Sequence, residues 1–390
     1  MKLSYFLTQL FNKPFVPSRR VEIVSRFVIE HGVNTYFRSQ QDSSYLKKLT
    51  LSYINSLEIS STDQYLYSHS CKKSTIYSNM YVCLIKSLYD DLDNKGKWIK
   101  YFDSFQAEKD GLFYDKSIHT EQYSEIDWWG GRHFALHAIP LYTALGTKPK
   151  YPFRFLKEYY KIDNLKKVLD AYTWKEKINN STDIDNWIMN IGAMLQYQRD
   201  VWNDKDAGES ILWLLDYLSK KVDKATGLWG IYDPVDFWHI SRQVQFAYHL
   251  YSLLFYDKHP IINHEKIIDI VLSSQGLFGG YGTKINSSAC EDIDAIDLLI
   301  RLSEKCSYRK EAVEASLNKV MIWILANMNH DGGFVFRRSE AFEYGHKEMS
   351  SLENESALFP TWFRTLSIAF IQRYFNNITY KINRSPGLEF

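Results

Sequence analysis

Three acids crowd the start of the segment Ser288-Ala-Cys290-Glu291-Asp292-Ile-Asp294-Ala295-Ile-Asp297-Leu-Leu-Ile-Arg301-Leu302. The apolar period that follows places Glu291, Asp292 and Asp294 in the first turns of a helix, where like charges repel and push one carboxyl toward its neutral form. A carboxyl that keeps its proton at neutral pH can serve as a general acid. The same residues equally suit a plain helix start, because a helix N-terminus favours acids.

Other segments have the same character. Asp127-Trp128-Trp129-Gly-Gly-Arg132-His133, followed by His137, sets two aromatics beside an acid, an arginine and a histidine. That composition suits a pocket wall. His133 and His137 share a helix face four residues apart, but no third ligand accompanies them, so no metal is expected. Asp236-Phe237-Trp238-His239-Ile-Ser-Arg242 repeats the mixture. Arg242 there could face a cavity or pair with Asp236 at the surface. Ser181-Thr-Asp183-Ile-Asp185 reads as helix-start capping. Glu353-Asn-Glu355-Ser precedes an apolar stretch with Trp362 and Arg364. Asp294, Asp292, Asp127 and Glu355 are the candidate catalytic carboxylates. Trp128, Trp129, Arg132, His133, Asp236, Trp238, His239, Arg242, Glu353 and Trp362 are the candidate substrate-binding groups. The aromatics would supply faces for a cation or for a sugar ring.

Something must bring these scattered segments together. Helical periodicity dominates the chain and strand alternation is scarce. Under the helices lies a repeat. Tyr101-Phe102, Gln106, Gly111, Phe113 has the same spacing as Tyr217-Leu218, Val222, Gly227, Trp229 and as Ile322-Trp323, Asn327, Gly332, Phe334. A looser copy is Ile270-Val271, Gln275, Gly279, Tyr281, and a degenerate one is Tyr53-Ile54, Glu58, Asp63, Tyr65. The glycine slots fall at 63, 111, 227, 279 and 332, in steps of 48, 116, 52 and 53, so a worn copy is expected near residue 170, beside Tyr172 and Trp174. Six units of about fifty residues each hold two helices and a turn. In each, glycine caps the first helix, the Gln or Asn is expected to bond carbonyls at the helix end, and the aromatic folds back on a neighbour.

The aromatic–aliphatic pair, the Gln, the Gly and the following aromatic resemble the QW repeat of terpenoid cyclases and related prenyltransferases. Lys95-Gly96 ahead of the first full copy also fits the start of that motif. The resemblance covers about residues 45 to 375. It implies an all-α fold, an (α/α)6 toroid of about six helical hairpins, with an inner and an outer ring around a central cavity. The repeat would end an outer helix, and the inner-helix starts would gather at one mouth, bringing the acids into a ring. Asp292-Ile-Asp294 also resembles the Asp-x-Asp-Asp motif of class II terpene cyclases, in which the middle acid protonates an alkene. On that match Asp294 is the proton donor and Asp292 its support, with Ala295 standing where the family carries Asp. Prenyltransferases of this fold bind zinc through Asp-x-Cys and His. Here the order is Cys290-x-Asp292, so neither zinc nor another cofactor is expected.

The functional expectation is an enzyme acting by acid-assisted chemistry on an isoprenoid in an aromatic cavity. The alternatives are a carbohydrate-active hydrolase, lyase or epimerase on the same architecture, and a non-catalytic binding scaffold. Lys and Arg number 47 against 46 Asp and Glu, a net charge of +1, which leaves no basic field for nucleic acid. No run is long enough to span a membrane. Aromatics make up 16% of the 390 residues, which calls for a large core, a large apolar cavity, or both. Four dispersed cysteines suit free thiols, and Met1–Phe11 lacks a cleavage site, so a cytoplasmic location is expected. The domain plan is an extension over residues 1–40 with an amphipathic helix after Pro17, the helical domain over 41–380, and a tail over 381–390. The basic start of the extension suits a peripheral membrane contact, but docking on the helical body is the expectation.

Overall fold

Helices carry almost all of the architecture. A computed structural model describes residues 18–60, 62–118, 130–178, 183–377 and 379–387, and fourteen α-helices lie among them. The first are α1 (Ser18–Phe27), continued by a π-helical turn (Val28–Val33), α2 (Asn34–Gln41) and α3 (Tyr45–Ser56). Then come α4 (Ile76–Leu88), α5 (Lys95–Asp103), α6 (Gly131–Leu145), a 3-10 segment (Arg154–Tyr160), α7 (Ile162–Asp170) and α8 (Ile184–Trp202). The rest are α9 (Lys205–Lys221), α10 (Phe237–Tyr256), α11 (His264–Ser273), α12 (Ala289–Ser303), α13 (Lys310–Ala326) and α14 (Leu358–Tyr374). Two antiparallel strand pairs of two residues each complete the fold among the described residues: Glu58–Ile59 with Gln64–Tyr65, and Phe342–Glu343 with Ser350–Ser351.

The helices are of two kinds. In α4 every residue but Lys86 is buried, and in α6 every residue but Thr143. By contrast α7 buries only Leu165 and Leu169, and α5 only Trp98 and Phe102. A helix buried all round belongs to an interior, and one with a single apolar stripe belongs to a surface. From α3 onward the kinds alternate, so each half-exposed odd-numbered helix precedes a buried even-numbered one. The buried helices touch in order: α4 on α6, α6 on α8, α8 on α10, α10 on α12, α12 on α14, and α14 back on α4. The N-terminal extension docks on α13 through its π-helical turn and α2.

The repeated turn is the joint between units. Gly111 and Gly332 adopt φ of +80° and +92°, a region that glycine enters without penalty. A Cβ on Gly111 would lie 2.0 Å from the Pro152 carbonyl oxygen, and one on Gly332 would lie 2.1 Å from that of Leu49. Each glycine therefore lets its unit press on the backbone of the next, and Gly332 presses the last unit on the first. The aromatics Phe113, Trp229, Tyr281 and Phe334 are all buried. The glutamines do more than cap a helix end. Gln106 Nε2 donates to the carbonyls of Gly111 and Tyr151, while its Oε1 accepts from the Tyr151 amide. Gln275 likewise donates to Gly279 O and Ser316 O. Asn327 does bond a helix-end carbonyl, that of Trp323, while the neighbouring Met328 makes the bridge to Phe334. The worn copy is present as Trp174, whose indole donates to Leu169 O and packs against Tyr217 and Phe246. Among the described residues no helix is long and apolar enough to cross a membrane.

Candidate functional site

The acids of α12 have three separate fates. Ser288 and Glu291 form a reciprocal cap at its start, and Glu291 also pairs with Arg337 at 2.9 Å. Asp292 is completely buried and accepts from four donors: the Tyr281 amide, Ser287 Oγ, Trp323 Nε1 and Arg364 Nη1, at 2.7 to 3.0 Å. Burial raises this carboxyl above its ordinary value, with Arg364, Ser287 and the Tyr281 amide working against it. Arg364 is equally buried and spends its remaining N–H groups on the carbonyls of Val335, Ser287 and Phe336. This pair ties α12, α13, α14 and the loop after α13 together. Its lone pairs are saturated, which suits support rather than chemistry.

Asp294 lies on another face of the helix. It is buried, and no group among the described residues donates to it. Burial, then the nearby Asp185, holds its proton well above the ordinary carboxylate range; Arg242 works against this, and Glu291 and Asp297 add to it. Asp294 is thus a buried carboxyl pushed toward its protonated form, on the side facing Asp185 of α8 and Arg242 of α10.

Opposite stands an anion. Asp185, at the start of α8, takes a bidentate pair from Arg242 at 2.8 and 2.9 Å and a third contact from His249 Nδ1 at 2.8 Å. Burial works to raise this carboxyl, but His249 and Arg242 hold it well below the usual range. Arg242 and His249 are seven residues apart on α10, two full helical turns, so one face presents both. Asp297, bonded by Arg301 at 2.7 Å, and the buried Tyr248 border the same cluster.

The other side of the interior is aromatic. Tyr81 of α4 packs on Tyr67, His137, Phe359 and Trp362. Tyr344, from the short Phe342–Ser351 hairpin, stacks on Phe359 at 4.1 Å. His133 of α6 lies between two phenols, with Nδ1 3.0 Å from Tyr77 Oη and Nε2 2.8 Å from Tyr344 Oη. Burial, with His137 and His249 adding to it, pushes His133 well below its ordinary value, and burial takes His137 down to about 4. Cys290 joins the two sides, since its thiol is raised by burial and by Asp294 and acts in turn on Tyr344. All six even-numbered helices contribute to this interior.

Of the groups singled out in the sequence, Asp294, His133, Arg242 and Trp362 meet here, with Asp292 behind them. Asp127, Trp128 and Trp129 lie outside the described residues. Arg132 turns away and sits over the rings of Phe155 and Tyr159 at 5.5 and 5.9 Å. Asp236 caps α10 through the His239 amide and contacts Lys177, His239 bonds the Ile231 carbonyl, and Trp238 is 43% exposed. Arg242 pairs with Asp185 rather than with Asp236. Glu355 accepts from the Ser70 and Leu352 amides and so fastens a loop, while Glu353 is exposed. Among the described residues Asp236, Asp292 and Glu355 keep separate partners and do not assemble into one ring. Asp185, which in the sequence has the look of a helix cap, belongs to the site, as does His249, and as do Tyr248, Tyr77, Tyr81 and Tyr344, which no sequence pattern singles out. The seven-residue spacing of Arg242 and His249 was the available signal. No group of three or more His, Cys, Asp or Glu suited to a metal ion occurs among the described residues. No protein-family model, curated protein or solved structure matches the chain.

Proposed function

We propose that the six hairpins close into an (α/α)6 toroid and that its interior is the active site of an enzyme acting on a carbohydrate, with Asp294 as general acid. The toroid is supported by the cyclic order of contacts among the even-numbered helices and by the Gly332 turn pressed on Leu49. The chemistry rests on one observation: two neighbouring buried carboxyls in unlike surroundings, Asp185 held by Arg242 and His249, and Asp294 with no donor among the described residues and pushed toward its protonated form. Environments that drive a pair apart in this way assign the acid. Asp294 gives its proton to the oxygen of a leaving group as the bond from that oxygen to the sugar carbon breaks; water adds to that carbon and returns a proton to Asp294, whose anion meanwhile lies near Arg242, which limits the cost of forming it. Asp185 holds Arg242 and His249 in place through their contacts with its carboxylate. Charged and hydrogen-bonding groups on one wall, with aromatic faces on the other, match the two sides of a sugar ring.

The aromatic wall of Tyr81, Phe359 and Trp362 favours a second reading, in which Asp294 protonates an alkene and the rings stabilise the cation. Turnover against panels of oligosaccharides and of isoprenoids separates the two. Replacing Asp294 with Asn should lower turnover by about 10²–10⁴-fold while leaving the fold intact. Full turnover in Asp294→Asn would sink the role of Asp294 in both readings, and no turnover of either panel by the parent chain would leave a binding scaffold.

A further inference from the structure

The segment 379–387 takes no part in the six hairpins, yet it is one of the better anchored stretches of irregular backbone. Tyr380 packs on Tyr89 with ring centres 5.1 Å apart, and the Lys381 amide donates to Leu88 O at the C-terminal end of α4. Arg384 donates to Tyr256 O at the C-terminal end of α10 and lies over that residue's ring. Helix C-termini carry unpaired carbonyls and a negative dipole end, so a segment bearing Lys381 and Arg384 is matched to them. In the cyclic order of contacts α4 and α10 are three steps apart, on opposite sides. The segment therefore crosses the interior from side to side at the end away from the capped helix starts.

It then turns inward. Ser385, Pro386 and Gly387 are all buried. A Cβ on Gly387, whose φ is +80°, would lie 2.9 Å from Leu136 Cδ1, 3.0 Å from Ala193 Cβ and 4.0 Å from Met189 Cε. Met189 and Ala193 continue the helix stripe that begins with Asp185, one turn and two turns further along α8. Gly387 thus sits beneath the acidic cluster, inside the space the even-numbered helices enclose.

We propose that residues 379–387 are a plug that closes the far end of the chamber, so that the site takes the terminal unit of a chain, or a molecule small enough to enter whole, and not a threaded polymer. This rests on the toroidal reading above. A chamber open at both ends admits the middle of a long glycan. A chamber with a floor one to two helical turns below Asp185 admits only an end, and its depth sets how many units fit.

The test reads accessibility and needs neither catalysis nor a ligand. A Met189→Cys chain is labelled with N-ethylmaleimide, with the parent chain and its four native thiols as the background. Removing residues 381–390 should raise the labelling rate of the introduced thiol by at least about tenfold, because the site would no longer need a local opening to be reached. Should the shortened chain fail to fold by circular dichroism, Gly387→Leu in the full-length Met189→Cys chain displaces the same contact and should raise the rate in the same direction. An unchanged rate in a folded variant overturns the plug and leaves the role of Asp294 standing. A raised rate together with full turnover in Asp294→Asn keeps the plug and removes the chemistry.

Discussion

Asp292 and Asp294 are two residues apart on one helix, and both are buried, yet their surroundings are unlike. Asp292 meets four donors, including a guanidinium with no exposure of its own; Asp294 meets none among the described residues. Burial raises both carboxyls, and the donors around Asp292 hold its rise below that of Asp294. The side toward α13 and α14 is saturated, and on the side toward α8 and α10 Asp294 has no donor among the described residues.

The sharpest way to break this contrast is at Arg364. Arg364→Ala strands the Asp292 carboxylate in the core and should cost about 3–5 kcal/mol, measured by urea unfolding. Joint replacement, Arg364→Met with Asp292→Leu, should recover much of that loss, because no charge is then left unpaired. A smaller effect is expected in the joints that hold both sides in register. Gln275→Ala removes bonds to Gly279 and Ser316 and should cost about 1–3 kcal/mol in the same assay.

The smallest stability effect is expected at Asp294 itself. Asp294→Asn replaces a neutral acid by a neutral amide and should change stability by less than about 1 kcal/mol near pH 5. The difference should grow with pH. A carboxyl whose folded value is raised contributes stability below its unfolded value and loses it as the pH rises through the folded one, so the parent chain should fall below the Asn variant on the alkaline side. Asp185 has the opposite sign: its contribution is present above the usual carboxylate range and is lost as the pH falls through its depressed value. Unfolding midpoints over a pH series show whether the two slopes oppose each other, and parallel slopes would contradict the assignment.

What the sequence revealed follows the range of the interactions. The repeated turn was legible because its spacing, its left-handed glycine and its buried aromatic are local requirements that recur, and even the degenerate Asp63 adopts a positive φ of 52°. Asp294 and His133 were visible as polar residues within apolar helical stretches. Asp185 was not, since an acid near a helix start looks like a cap, and its partners lie 57 and 64 residues away. The role of Asp292 was only half visible, because the arginine that saturates it is 72 residues further on. The reach of the glutamine side chains to the next unit, 45 residues on for Gln106 and 41 for Gln275, was likewise beyond any local pattern.

The contact of the last unit with the first has a consequence for how the molecule is made. Thr50 bonds the carbonyl of Gly332 across 282 residues, and the Ser70 amide bonds Glu355 across 285. During synthesis the apolar flanks of α3 and α4 must wait for nearly the whole polypeptide before their final neighbours arrive. An open array of repeats can be shortened one unit at a time from either end, but here α14 rests on α4, so removing the last unit also uncovers the first. Translation pauses and early stops should therefore yield aggregation-prone fragments rather than shorter functional ones, and a nascent chain would depend on chaperones until α14 emerges.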